Sequence, residues 1–458
     1  MYQEIKDRIK AISRREVPEG YKTSDLGIIP DDWNIKKLSD LSVVITKGTT
    51  PTSYGFEYQS KGINFVKTEN ILENGDVDID STPKISIECD EVLSRSRLNE
   101  DDVLVSIAGS IGKTSIIKAE YLPANTNQAL AIIRLEQQIN PLYIKYLLSS
   151  SLFTRYFNSI KTVGAQPNLS LKQVGEFQIP IFKNDEINEI CRLLSTWDKA
   201  IELKEKLIDQ KKEQKKGLMQ RLLWGHVRWD DGDNFTIEQL QDRHNQINSG
   251  ITPRGFQEVK RFIIPQDWQF IKMDKIGQQI TSKNKEHKIL KVLSCTKHGG
   301  LVDSLEYFGK QVFGSDLSKY KVVAKGDFAY ATNHIEEGSI GLQKEYDYGL
   351  VSPMYTVFRA NKDIDNEFLY ALLKTENYRR IYKSMMSASV DRRGSLRWKE
   401  FSTIEIPIPP LKEQKKISAI LLTADKEVKT LEKELTELKQ QKVGIMQLLL
   451  TGKIRVKV

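Results

Sequence analysis

The strongest constraint on this chain is that it repeats itself. QKKGLMQRLLWGHVRW, from Gln214 to Trp229, aligns with QKVGIMQLLLTGKIRV, from Gln441 to Val456, at a constant offset of 227 with nine of sixteen residues identical. Further marks recur in the same order: IIPDDW around Trp33 matches IIPQDW around Trp268, and FQIPI at Phe177 matches IEIPI at Ile404. A repeat this long means two copies of one architecture, each with its own core. Between the marks the halves agree only in outline, LNEDDVLVSIAG against VVAKGDFAYATN and ANTNQALAIIRL against GLVSPMYTVFRA. A shared scaffold therefore carries diverged loops.

Each half closes on a long segment whose apolar residues alternate by three and four, as a coiled-coil seam requires. Ile187, Ile190, Leu194, Trp197, Ile201, Ile208, Leu218 and Leu222 hold the first seam. Ile417, Leu421, Ala424, Val428, Leu431, Leu435, Leu438, Ile445 and Leu449 hold the second. Lys204, Lys211 and Lys215 interrupt the first where the second carries Leu431, Leu438 and Lys442, so two unlike helices in a fixed register are expected. Pro180, and Pro407, Pro409 and Pro410, mark where each helix can begin, because proline disfavours helical geometry in the residue before it. Gly225 and Gly452 follow the last seam leucines, where a left-handed cap ends a helix. Trp33 and Trp268 read as core anchors.

Short β-rich runs such as VLVSIA and DFAYAT, then one amphipathic helix, precede each long helix. The expected fold class is α/β (α+β): two similar domains in tandem, separated by two long helices packed as an antiparallel coiled coil, with a pseudo-two-fold internal repeat. The boundaries expected are an N-terminal segment 1–20, domain one 21–185, central helix 186–223, connector 224–261, domain two 262–410, distal helix 411–451 and tail 452–458. At about 1.5 Å per residue the central helix would reach roughly 57 Å, longer than the roughly 34 to 36 Å of one B-DNA turn. Antiparallel packing is the economical choice, although the connector is long enough to permit a parallel pair.

Composition narrows the function. The net charge of +8 favours a polyanionic partner. Cys89, Cys191 and Cys295 lie in no CxxC pair, which fits a reducing cytoplasm and no zinc ribbon, and the histidines at 226, 244, 287, 298 and 334 lack metal spacing. The N-terminal MYQEIKDRIK is charged where a signal peptide needs an apolar core, and no run of apolar residues approaches a membrane span. AGSIGKTS imitates the end of a phosphate-binding loop, but Ile107 stands where its first glycine belongs and TSIIK reads as a strand. No GxGxxG follows a strand, no NPPY-like tetrapeptide is present, and Asp76, Asp78 and Asp80 read as a turn. No catalytic residues and no metal site are expected.

The order domain, long helix, domain, long helix, with IPxDW openings, IPIP-type closings and an LMQxLLxG ending, resembles the specificity subunit of type I restriction-modification systems over nearly the whole chain. The resemblance implies a non-catalytic subunit whose two target-recognition domains each read half of a split, asymmetric target in double-stranded DNA, with the helices fixing the gap. It implies docking of two adenine methyltransferase subunits and of motor-nuclease restriction subunits in the cytoplasm. S-adenosylmethionine, ATP and Mg2+ would sit on those partners, with no cofactor in this chain. A coiled-coil scaffold for protein partners and a stand-alone sequence-specific repressor are the alternatives.

Base reading needs hydrogen-bonding side chains on loops, and phosphate contact needs cations or backbone amides. The DNA-binding candidates in the first domain are Lys47, Thr49, Thr50, Ser53, Lys67, Thr68, Asn70, Lys113, Gln166 and Asn168. Those in the second are Ser282, Lys283, Asn284, Lys285, Lys297, His298, Asn333, His334, Arg392, Arg393 and Arg397.

Overall fold

The computed structural model describes residues 2–160, 168–228, 235–286, 290–387 and 394–457. They form two compact units, one of Met1–Leu207 with Leu431–Val458 and one of Ile208–Thr430. The long helix Asn184–Leu222 and the long helix Leu411–Leu450 each contribute to both units.

In the first unit a four-stranded antiparallel sheet runs in the order Ser42–Lys47, Leu130–Leu135, Val103–Ser106, Thr114–Ile116. In the second the order is Gly277–Ile280, Tyr355–Ala360, Phe328–Ala331, Ile340–Leu342, the same topology. Alternation along the strands explains why both sheets are buried on two faces. Val103, Val105, Ala131 and Ile133 face the main core, while Leu104, Leu130 and Ile132 face a smaller cluster behind the sheet. Phe328, Tyr330 and Phe358 face the main core of the second unit, and Ala329 and Val357 the smaller one. Tandem helices, Pro141–Leu148 with Ser151–Ile160 and Asn366–Leu373 with Glu376–Ser387, cover the main core side.

Each IPxDW turn is anchored by the helix end of the opposite repeat. Gly225 and Gly452 both adopt φ +68°. A Cβ on Gly225 would come within 2.5 Å of Pro265, and one on Gly452 within 2.4 Å of Pro30, so only glycine fits. Trp33 is fully buried and stacks on Phe182 at 4.0 Å; Trp268 is buried and donates to Glu413 at 3.1 Å. Both tryptophans are core residues, as their sequence context suggests.

The helices run antiparallel in each unit. In the first, Lys442 pairs with Asp198 and Lys204 with Glu434; in the second, Lys215 pairs with Asp425 and Lys211 with Glu427. Partner numbers fall on one helix as they rise on the other, and each of the three lysines that interrupt the first seam finds a carboxylate on the other helix. Ile187, Ile190, Leu194, Ile208, Leu222, Ile417, Leu421, Val428 and Leu449 are buried. Trp197, Ile201, Leu218, Leu431, Leu435, Leu438 and Ile445 are half-buried.

The stretch read as a connector is structured. It holds a helix, Ile237–Asn248, opened by a Thr236–Gln239 capping box, and the strand Phe256–Val259 of a hairpin with Phe262–Pro265. The helix Tyr2–Ser13 and the hairpin Tyr21–Ser24 with Gly27–Pro30 repeat this arrangement in the first unit. Arg8 lies over Tyr21 at 5.7 Å and Arg243 over Phe256 at 5.5 Å. Among the described residues no helix is long and apolar enough to cross a membrane.

Candidate nucleic-acid interface

In the first unit the candidates gather on one rim. Lys47 ends the strand Ser42–Lys47, and Gly48 follows with its amide on the Asn127 carbonyl at 3.2 Å. A Cβ on Gly48 would lie 1.7 Å from the Thr126 carbonyl oxygen, so glycine is required for this approach. Thr126 in turn donates to the Val66 carbonyl at 2.7 Å, bringing the loop at Lys67 alongside. Thr50 donates to Gln128 at 2.6 Å, and Ser53 and Tyr54 are exposed on the turn beyond. Lys67 stands over the Tyr58 ring at 4.2 Å.

The rim continues through Lys113, whose ammonium donates to the Ile71 carbonyl at 3.0 Å, and through exposed Asn168, bridged to Ala108. Thr49 and Thr68 are half-buried, and the Thr68 hydroxyl has no protein partner. Asn70 is buried: its carboxamide accepts from the Lys67 amide at 3.0 Å and donates to Ser81 at 3.3 Å, so it shapes the loop from within. Gln166 lies outside the described residues.

The second unit builds a comparable rim by other contacts. Exposed Lys283 bridges to Lys321, beside exposed Ser282 and Lys285, while Asn284 is buried with its amide on the Tyr320 carbonyl at 2.9 Å. Lys321 donates to the Tyr355 carbonyl, and burial followed by the Lys283 charge pushes its ammonium below the usual lysine range. Two crowded cations are what a phosphate would relieve. Thr332 donates to the Met354 carbonyl at 3.0 Å and accepts the Leu396 amide at its own carbonyl at 2.8 Å, placing Asn333 and exposed Arg397 on the same side.

Lys374 ties the loops at Lys297 and Gly338 together, donating to the two carbonyls at 2.7 and 2.8 Å, so exposed Lys297 and His298 stand near His334. Glu336 and Glu337 crowd His334, and the ligand atoms of the three lie within 4.8 Å of one another, which makes this the acidic corner of the rim. Arg392, Arg393 and His287 lie outside the described residues.

Arg95, Gln128, Lys321 and Lys374 are rim residues that sequence reasoning passed over. Arg95 sits in a short helical turn, 3.5 Å from the Lys47 carbonyl, and only its arginine-serine run SRSR hinted at exposure. The AGSIGKTS stretch is a hairpin turn between Val103–Ser106 and Thr114–Ile116, with Ile107 buried and a strand, where a phosphate-binding loop needs a helix, directly after it. Cys191 and Cys295 are buried, and burial pushes both thiols up to about 12, which leaves them protonated and poor nucleophiles.

The family model for the type I restriction modification DNA specificity domain matches twice, over residues 30–212 and 265–440. The chain belongs to that family. Specificity subunits of this kind are non-catalytic components of restriction-modification complexes, and two specificity domains in one chain suit a target in two parts. The MjaVIII type I restriction enzyme specificity subunit of Methanocaldococcus jannaschii is 25% identical over 448 residues, covering 94% of each chain. The EcoBI specificity subunit of Escherichia coli is 28% identical over 172 residues, 36% of this chain and 35% of its own. A chain solved in work on complex assembly and conformational transition of the type I R-M system superposes with a TM-score of 0.54 at 16% identity. It covers 93% of this chain and 99% of that one, a likeness of fold.

Proposed function

We propose that each rim reads one half of a bipartite, asymmetric DNA target and that the paired helices set the unspecified gap between the halves. The chain then assembles in the cytoplasm with two methyltransferase subunits, which use S-adenosylmethionine. It also assembles with restriction subunits that use ATP and Mg2+. One observation carries this reading: the same sheet topology occurs twice, while the loop sequences on its rim diverge, TKGTTPTSYG in the first unit against TSKNKEHK in the second. Identical scaffolds with unlike loops suit two unlike half-sites, since base edges are read by loop side chains and not by the sheet. The half-buried Lys47 and the exposed Lys283, Lys285, Lys297 and Arg397 supply the sequence-independent attraction to phosphate.

Methylome sequencing of a host carrying the cognate methyltransferase, with and without this chain, tests the reading. Methyl groups should appear on adenines within one split, non-palindromic sequence only when the chain is present. An unchanged adenine pattern in cells that hold the soluble complex would overturn it. A repressor would bind such a site without any methyl transfer, and a protein scaffold would show no salt-sensitive, sequence-dependent affinity for duplex.

A further inference from the structure

A cleft of about 720 Å³ opens in the first unit, where the loops at 72–75 and 111–114 face the two long helices. Of the DNA-binding candidates only Lys113 lines it, so the reading of DNA leaves most of this cleft without a use.

Lys145, which lines the cleft from the helix Pro141–Leu148, is its odd charge. Two carboxylates, Asp198 and Asp76, lie near enough to favour the ammonium, and two cations, Lys442 and Lys118, near enough to oppose it. Those four pair among themselves, Lys442 with Asp198 and Lys118 with Asp76, which leaves Lys145 over. Among the described residues its ammonium makes one hydrogen bond, to the Asn74 carbonyl at 3.2 Å, although an ammonium has three donors. Burial pushes it below the usual lysine range. The seat is built for it: a Cβ on Gly75, at φ +85°, would come within 2.6 Å of that ammonium.

The second unit fills the same place from its own chain. At a constant offset of 225, Lys145 corresponds to Tyr370, Ser149 to Lys374 and Gly75 to Gly300. Gly300, at φ +66°, makes room for the Tyr370 hydroxyl where Gly75 makes room for an ammonium. Lys374 straps together the carbonyls of Lys297 and Gly338, the counterparts of Leu72 and Lys113 in the open cleft. Ser149 cannot make that crossing; its hydroxyl turns back to the Lys145 carbonyl at 2.8 Å.

We infer that the cleft of the first unit binds a nucleoside monophosphate. The phosphate sits at Lys145 and at Lys113, whose one hydrogen bond among the described residues goes to the Ile71 carbonyl. The base lies between Leu72 and Val443, apolar side chains left 45% and 56% exposed on facing walls. The exposed Glu202 carboxylate accepts from hydroxyl or amino groups. The volume falls in the range of roughly 300 to 1,000 Å³ usual for small-ligand sites. A duplex is the poorer occupant, because a cube of 720 Å³ is about 9 Å on edge, less than the roughly 12 Å of a major groove alone.

Isothermal titration of the full chain with each of the four nucleoside monophosphates tests the inference. At least one should bind at one site per chain, since the second unit is filled, and at least tenfold more tightly than inorganic phosphate or its own nucleoside. Ser149→Lys copies the strap of the second unit onto an exposed position, so it should abolish binding and leave the thermal midpoint level. Lys145→Met should weaken binding tenfold or more. Full-strength binding to the Ser149→Lys chain, two sites per chain, or no uptake of any monophosphate at millimolar concentration overturns the assignment.

Discussion

Arg455 grips Glu186, 269 residues earlier in the chain, through two hydrogen bonds of 2.6 Å, and a further pair at 2.8 and 2.9 Å reaches Asp32. Arg228 repeats the arrangement with Glu413 at 2.6 and 2.9 Å and with Asp267 at 2.8 Å. Each arginine thus fastens the tail of one repeat to the IPxDW turn and helix start of the other. Glu186 is 2% exposed, so removing its partner strands a buried charge. Arg455→Ala should cost about 3 kcal/mol or more in the first unit, seen as faster hydrogen exchange around Trp33. Arg455→Lys should recover only part, because lysine cannot make the paired bonds. Unchanged exchange in the alanine variant would count against the clamp.

The same clamp has an acid limit. The Arg455 hydrogen bonds hold the Asp32 carboxyl below its usual range. A carboxylate with a lowered folded value contributes stability above its unfolded value, near pH 4, and loses it as pH falls through the folded one. Asp32→Asn should therefore narrow its gap from wild type as urea unfolding is repeated from pH 6 down to pH 3.

His226 sets a second pH dependence, of milder acid. Burial first, and then the charge of His244, push it down to about 4; the rings lie 6.3 Å apart. The unfolded chain takes up this proton near pH 6.5 while the folded chain resists until about 4, so the second unit loses stability as pH falls across that interval. The full effect is on the order of 3 kcal/mol. His226→Gln should flatten the unfolding curve between pH 7 and pH 4.5, and an equally steep curve would show that another group titrates.

The seam lysines are testable by charge exchange. Lys211→Glu places like charges opposite at Glu427 and should destabilise the second unit by about 0.5 kcal/mol, an effect that added salt reduces because the pair is partly exposed. Lys211→Glu combined with Glu427→Lys should restore wild-type stability. A double variant no better than the single would mean that the pairing does not set register.

The proposed phosphate contacts predict a salt slope. Lys283→Ala and Lys321→Ala in the assembled complex should each lower the dependence of log Kd on log salt by roughly 0.9, leaving the recognised sequence unchanged. Inserting one heptad after Leu203 and another after Thr430 adds about 10 Å to each helix, so the gap between half-sites should grow by roughly three base pairs. Altered half-sites in the methylome of that variant would show that the rims are not the readers.

Much was legible in the sequence because it is local or repetitive. Seam spacing, the proline and glycine boundaries, the two tryptophan turns and the family resemblance follow from chain order alone, since helix periodicity and backbone preference act over a few residues. The helix Ile237–Asn248 escaped notice because its polar composition shows little apolar periodicity, although its Thr236–Gln239 capping box was in plain view.

What the tertiary structure decided is which residues meet. The sequence established that Arg228 and Arg455 are repeated and that Lys204, Lys211 and Lys215 break a seam; folding determined that their partners are Glu413, Glu186, Glu434, Glu427 and Asp425. Asn70 and Lys67 look alike as loop candidates, yet one is buried inside its turn and the other stands over Tyr58. Burial and long-range pairing are properties of packed surfaces from distant segments, and no local pattern in the chain encodes them.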